Sequence, residues 1–223
     1  MTAPGAVGPL GTTAPGSGSR LPPRARLRSD AKTLSLDGTW RFRLHDRAPR
    51  DEVDGVPPFA VGTDRATGPD WSDLPVPSHW VLHGHGAPAY TNIRYPFPVD
   101  PPHVPDRNPT GDHVRTVDLP DWWPAGGRTL LRLDGAESLA RVWVNGRTVG
   151  WSTGSRLTTE YDVTGLLRPG ANTVAIRVHQ WSQGSYLEDR TSGGCPACSV
   201  RSPSNTARTA ASTTSSSPPT ATR

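Results

Sequence analysis

The sequence predicts an all-β fold, an antiparallel two-layer sandwich flanked by N- and C-terminal tails without structure. Three observations lead there. Several short segments alternate apolar and polar residues at the period of a half-buried strand. Turn-forming residues separate them, and no segment carries the 3.6-residue apolar period of an amphipathic helix. The 223-residue chain holds only 33% hydrophobic residues but 23 Gly and 25 Pro. Such a composition suits a core of ordinary domain size diluted by unstructured ends.

The elements follow in chain order. Residues 1–20, MTAPGAVGPLGTTAPGSGSR, are mostly Gly, Ala, Pro, Ser and Thr. They offer too little apolar surface to offset the entropy of ordering, and read as a flexible leader. In 34–44, LSLDGTWRFRL, Trp40, Phe42 and Leu44 alternate with Arg41 and Arg43, as in a strand with one buried face. Segments 113–119 (HVRTVDL) and 128–134 (RTLLRLD) predict two further strands. In 139–151, LARVWVNGRTVGW, alternation flanks Asn145-Gly146 on both sides. Asn-Gly accepts the positive φ angles of a type I′ turn, so the segment predicts a hairpin. Segment 172–179, NTVAIRVH, sets Val174, Ile176 and Val178 on one face after the turn Arg168-Pro169-Gly170. The Pro-rich stretch 96–109 predicts an extended loop, because proline lacks the donor that a central strand needs.

Charge and hydropathy exclude some functions. The net charge is +4, with Lys32 the sole lysine among 24 basic residues. The arginines are scattered among acids and form no concentrated basic face, which argues against nucleic-acid binding. No stretch approaches the ~20 apolar residues of a membrane span. The first 20 residues lack the basic start and apolar run of a signal peptide, so a cytoplasmic location is expected.

Longer strings carry more than periodicity does. LSLDGTWRF (34–42), PSHWVLHGHGAPAYTNIRYPF (77–97), NPTG (108–111), SRLTTEYDVT (155–164) and HQWSQGSYLED (179–189) stand in an order that resembles the N-terminal sugar-binding domain of glycoside hydrolase family 2 β-galactosidases. The resemblance spans about residues 21–189. It implies a galactose-binding-domain-like jelly roll, which in that family precedes a barrel carrying two catalytic glutamates and a Mg²⁺ site. It also implies one substrate contact, because Asn92 matches the Asn of the family's Y-T-N-x-x-Y-P string. An amide offers a donor and an acceptor to a sugar hydroxyl; without the string, Asn92 would read as a turn former.

A second family contact is missing. The family's E-D-x-D ends in an Asp that binds sugar and Na⁺, whereas this chain reads Glu188-Asp189-Arg190-Thr191, with Thr191 in its place. Residues 190–223 contain no aromatic and are rich in Ser and Thr, so this tail is expected to be disordered. Regrouping one coding of Arg190–Val200 by a single base yields DIWWLSGMFR, which resembles the family's continuation. The expectation is therefore a tail translated out of frame after Asp189.

Other constellations have plainer readings. Cys195 and Cys198 form a lone C-x-x-C with no second pair, and on the out-of-frame reading they arise by accident of translation. His83 and His85 are too few for a closed metal site. No metal site or cofactor is expected in this chain, although the resemblance implies Mg²⁺ and Na⁺ for the intact enzyme. Glu137, Glu160 and Glu188 invite a glycosidase reading, which needs two carboxyls ~5–5.5 Å apart. The resemblance puts those roles on the barrel, so no hydrolysis is expected from this chain alone. Trp122, Trp123 and Trp151 could stack on sugars, but tryptophan in a small sandwich more often fills a core or covers an interface.

The sequence thus reads as the sugar-binding part of a β-galactosidase, with a β-galactoside as partner and no nucleic acid or membrane. Two alternatives are a free-standing carbohydrate-binding module and a subunit that complements a separate catalytic-barrel chain.

Overall fold

The computed structural model describes residues 9–12, 14–23, 32–89, 94–123, 127–155, 157–188 and 208–212. Its strands are β1 (Gly16–Gly18), β2 (Lys32–Ser35), β3 (Gly38–His45), β4 (Ser72–Val76), β5 (Thr110–Leu119), β6 (Arg128–Leu133), β7 (Leu139–Val144), β8 (Arg147–Ser152), β9 (Thr159–Asp162), β10 (Gly170–His179) and β11 (Arg208–Ser212). The only helical segments among the described residues are short 3₁₀ turns. Seven strands form one sheet in the order β1-β8-β7-β10-β5-β3-β4, and four form the other, β2-β11-β6-β9. Every pairing is antiparallel. This is the all-β sandwich that the alternation predicts.

The core lies between the sheets. Trp40, Phe42, Leu74, Val142, Val174, Ile176 and Val178 of the larger sheet pack on Leu131, Leu133, Tyr161 and Val163 of the smaller side. Two polar atoms carried inside find partners, as buried groups generally do. Trp40 Nε1 donates to the Leu36 carbonyl at 2.9 Å, and Tyr161 Oη donates to Ser152 Oγ at 2.8 Å.

The hairpin forms as predicted, with Asn145 at φ 50° and Gly146 at φ 73°. Both angles belong to the left-handed region that the type I′ turn needs. The Asn145 side chain does more than permit the turn. Its Nδ2 donates to the Leu166 carbonyl and to Asn172 Oδ1, both at 2.8 Å, and its Oδ1 accepts from Thr173 N at 2.8 Å. The predicted strand 34–44 is divided by Leu36 and Asp37 into β2 and β3, which belong to different sheets. Residues 94–109 contain no helix or strand, as their prolines predict.

Two short segments near the ends pair with the sheets. Gly16–Gly18 pairs with β8 from Gly150 to Ser152. The approach is so close that a Cβ on Gly18 would sit 2.2 Å from the Val149 carbonyl oxygen. A glycine-bearing leader can therefore dock where a bulkier one cannot. Residues 208–212 form β11 between β2 and β6. Strand addition needs backbone donors and acceptors and not a core of its own. The other residues of the tail lie outside those described.

One difference concerns the larger sheet's outer face. Alternation alone would leave it to solvent. Instead the connection between β3 and β4 folds over it, and Phe59, Ala60, Ala66 and Trp71 pack on Val114, Trp143 and Ala175. The central strand β10 is thus buried on both sides.

Candidate sugar-binding site

The register brings Leu139, His179, Thr110 and His45 into one row at one end of the larger sheet. From this row leave the two loops that carry the most distinctive strings, 94–109 and 180–188.

These loops are tied to each other. Tyr95 Oη donates to the Ser185 carbonyl at 3.0 Å. Phe97 meets Trp181 edge-on at 5.0 Å between ring centroids, and Tyr95 lies 5.5 Å from Tyr186. Asn108 clamps the second loop: its Nδ2 donates to the Trp181 carbonyl at 2.8 Å, and its Oδ1 accepts from Trp181 N at 2.9 Å. A capping box between Ser182 and Ser185 shapes the turn, and Ser138 Oγ donates to Ser182 Oγ at 2.8 Å. The string 95–97 is thereby fixed against the string 181–186. Asn108 belongs to the quoted NPTG, but its role was not legible, because its partner lies 73 positions along the chain.

Asn92 lies outside the described residues, as do Asp189, Thr191, Cys195 and Cys198. Of the three glutamates, Glu188 holds a neighbouring loop: its carboxylate accepts from Gly154 N at 3.1 Å and from the Ser155 hydroxyl. Glu137 and Glu160 are buried. His85 pairs with Ser72 Oγ at 3.3 Å and packs edge-on against Phe42. Burial first, then the charge of His83, lowers its pKa. Among the described residues, no three His, Cys, Asp or Glu side chains are grouped to hold a metal ion. Trp122 is 54% exposed and Trp123 half-buried.

A buried ionic cluster underlies the same end of the sheet and has no counterpart in the sequence reading. Arg177 and Asp112 are both fully buried. Arg177 donates to Asp112 through Nε at 2.6 Å and Nη2 at 3.0 Å. His45 Nε2 lies 2.9 Å from Asp112 Oδ2. The covering connection supplies Asp51, 3.0 Å from Arg177, and Glu52, which binds Arg141 through both oxygens. Burial alone would raise the Asp112 pKa, but hydrogen bonds from His45 and Arg177 outweigh it and hold the carboxyl below its ordinary value. Burial likewise opposes the Arg177 charge, and the Asp112 and Asp51 carboxylates overcome it and raise its pKa. Arginine faces cover the aromatic layer, with Arg43 4.9 Å from the Trp71 ring and Arg141 5.0 Å from that of Trp143. The cluster is structural: it pins the covering connection to the sheet.

Residues 33–196 match the family described as glycosyl hydrolases family 2, sugar binding domain. The β-galactosidase of Arthrobacter sp. (strain B7) is 51% identical over 187 residues, covering 79% of this chain and 18% of that protein. A β-galactosidase of Yersinia pestis bv. Antiqua (strain Angola) is 44% identical over 163 residues, covering 73% and 15%. The chain therefore spans less than a fifth of the length of these relatives. Among solved structures, a Faecalibacterium prausnitzii β-glucuronidase is 24% identical with a TM-score of 0.46, covering 70% of this chain and 22% of that one. The family match covers most of the chain, and its most distinctive strings meet in space: the chain belongs to glycosyl hydrolase family 2, as its sugar-binding domain.

Proposed function

We propose that this chain forms one edge of a β-galactosidase pocket, with Asn92 as its hydrogen-bonding contact to the galactoside and no hydrolytic chemistry of its own. The supporting observation is the tie between Tyr95 and Ser185. It fixes the chain three residues beyond Asn92 against the loop that leaves β10, so a contact side chain there would be held from a rigid frame. A loop contact needs such a frame to add specificity. The glutamates of this domain serve the fold, and catalysis falls to a barrel of the same family. No metal site is assigned, and the chain is expected to work in the cytoplasm.

The test is complementation. The purified chain alone should not turn over a nitrophenyl β-galactoside. Mixed with a separately produced chain carrying the rest of a family 2 β-galactosidase, it should restore hydrolysis and co-purify with that chain. Asn92→Ala should cut the restored kcat/KM roughly tenfold or more, the loss of one hydrogen bond in a desolvated site. Turnover by the chain alone, or an Asn92→Ala complex as active as the unchanged one, would overturn the reading. Galactose binding by the isolated chain that vanishes in Asn92→Ala would instead favour a free-standing binding module.

A further inference from the structure

The opposite end of the sandwich carries a groove with different chemistry. There β5 ends at Leu119 and pairs with Gly170, the start of β10. A cavity of about 530 Å³ opens between these ends and the start of β6. Trp123, Asp121, Arg168 and Thr164 line it, over a floor that includes Leu119 and Thr129. The volume falls within the range of small-ligand sites.

The floor is preformed. Thr129 N donates to Thr164 Oγ at 3.0 Å, and that hydroxyl donates to Asp162 Oδ1 at 2.6 Å. Arg168 is held through its backbone by Asn172 Oδ1 at 3.0 Å, and its Nε donates to the Ala171 carbonyl at 2.9 Å. Its remaining guanidinium N–H groups stay available at an exposed position. Asp121, also exposed, brings a carboxylate to the same rim. Trp122 stands beside Trp123, with ring centroids 5.7 Å apart and planes inclined at 47°.

The lining selects a ligand class. An indole beside the groove offers an apolar flat surface. A carboxylate accepts two or more hydrogen bonds and a guanidinium donates several, a pair suited to neighbouring hydroxyls. One acidic and one basic side chain leave the groove near neutrality, which favours neither a phosphate nor a cation. A molecule with an apolar C–H face and a rim of hydroxyls meets all three requirements.

The geometry points to a second carbohydrate site in this groove, taking a neutral oligosaccharide, with Trp123 stacking on a sugar face and Asp121 and Arg168 bonding its hydroxyls. The length of β10 separates it from the Tyr95–Ser185 end by on the order of 30 Å. It therefore does not serve the reacting sugar and does not depend on the galactosidase reading. Its role is to hold a glycan on the domain.

Lactose and a neutral galacto-oligosaccharide serve as probes, followed by amide chemical shifts and calorimetry on the full chain. Saturable millimolar binding is expected, with shifts around 119–123 and 164–170. Asp121→Ala and Trp123→Ala should each weaken it about tenfold or more. Asp121 is exposed, so its variant separates lost binding from lost folding. No saturable binding of either sugar overturns the proposal, as does binding insensitive to Asp121→Ala, or inorganic phosphate binding in place of sugar. Loss of binding in Asn92→Ala alone would place the sugar at the other end of the sandwich and also overturn it. The complementation assay reads the other end separately, so either idea can fail without the other.

Discussion

Asp112 and Arg177 show how much a single pair can decide. A buried carboxylate left without its guanidinium keeps its charge and loses its compensation. Arg177→Met should therefore cost about 3–5 kcal/mol in urea denaturation. Replacing both, Arg177→Met with Asp112→Leu, should recover most of that loss, because two charges no longer need desolvation compensation. Two nearby histidines set the acid limit of stability. Burial lowers His113 to about 4, and burial followed by the Arg177 and Arg141 charges lowers His179 to about 3. The unfolded chain protonates both near pH 6.5, where the folded chain does not. Stability is therefore full above pH 6.5 and falls as pH drops towards 4, by about 1.4 kcal/mol per pH unit for each histidine. Asp112 adds its loss only below the ordinary carboxylate range, as pH falls through its lowered folded value. The urea midpoint at pH 5 should lie well below that at pH 7, and His113→Phe should flatten the difference. An equal midpoint at the two pH values would contradict the assignment of neutral buried histidines.

At the scale of the element, the β7–β8 hairpin and β10 were readable because their information is local. Asn145-Gly146 marks its own turn, and Val174, Ile176 and Val178 mark their own face. The other face of β10 was not readable. Ala175, Arg177 and His179 alternate with the apolar set and look solvent-facing, yet a connection more than a hundred residues earlier covers them. That connection has no period, only scattered apolar anchors such as Phe59 and Trp71, so nothing in the local pattern announces it. The same limit applies to Asn108, whose clamp on Trp181 joins segments that only the fold brings together. The reading of Asn92 rests on its string rather than on chemistry of its own, and Asn92 lies outside the described residues. One further expectation belongs here. Asn145 joins the hairpin to the β9–β10 turn by three hydrogen bonds. Asn145→Ala should lower the urea unfolding free energy by about 2–3 kcal/mol, well beyond the few tenths expected of a turn preference alone.

At the scale of the whole molecule, the two ends of the sandwich differ in chemistry. One end gathers the strings shared with the β-galactosidases, and the other holds a neutral groove beside two tryptophans. The connection between β3 and β4 closes the outer face of the larger sheet around β10, whereas Thr39, Asp73 and Pro75 stay exposed towards the β4 edge. The sheet's strand order also sets a timetable. β3 pairs with β5, and β5 with β10, so the first apolar strand to leave the ribosome cannot complete its sheet until the last one emerges. At ordinary synthesis rates, Trp40 and Phe42 wait on the order of 10 s before β10 arrives to finish the layer around them. For that interval the nascent chain presents an unfinished apolar sheet, and a holding chaperone would find its target in β3.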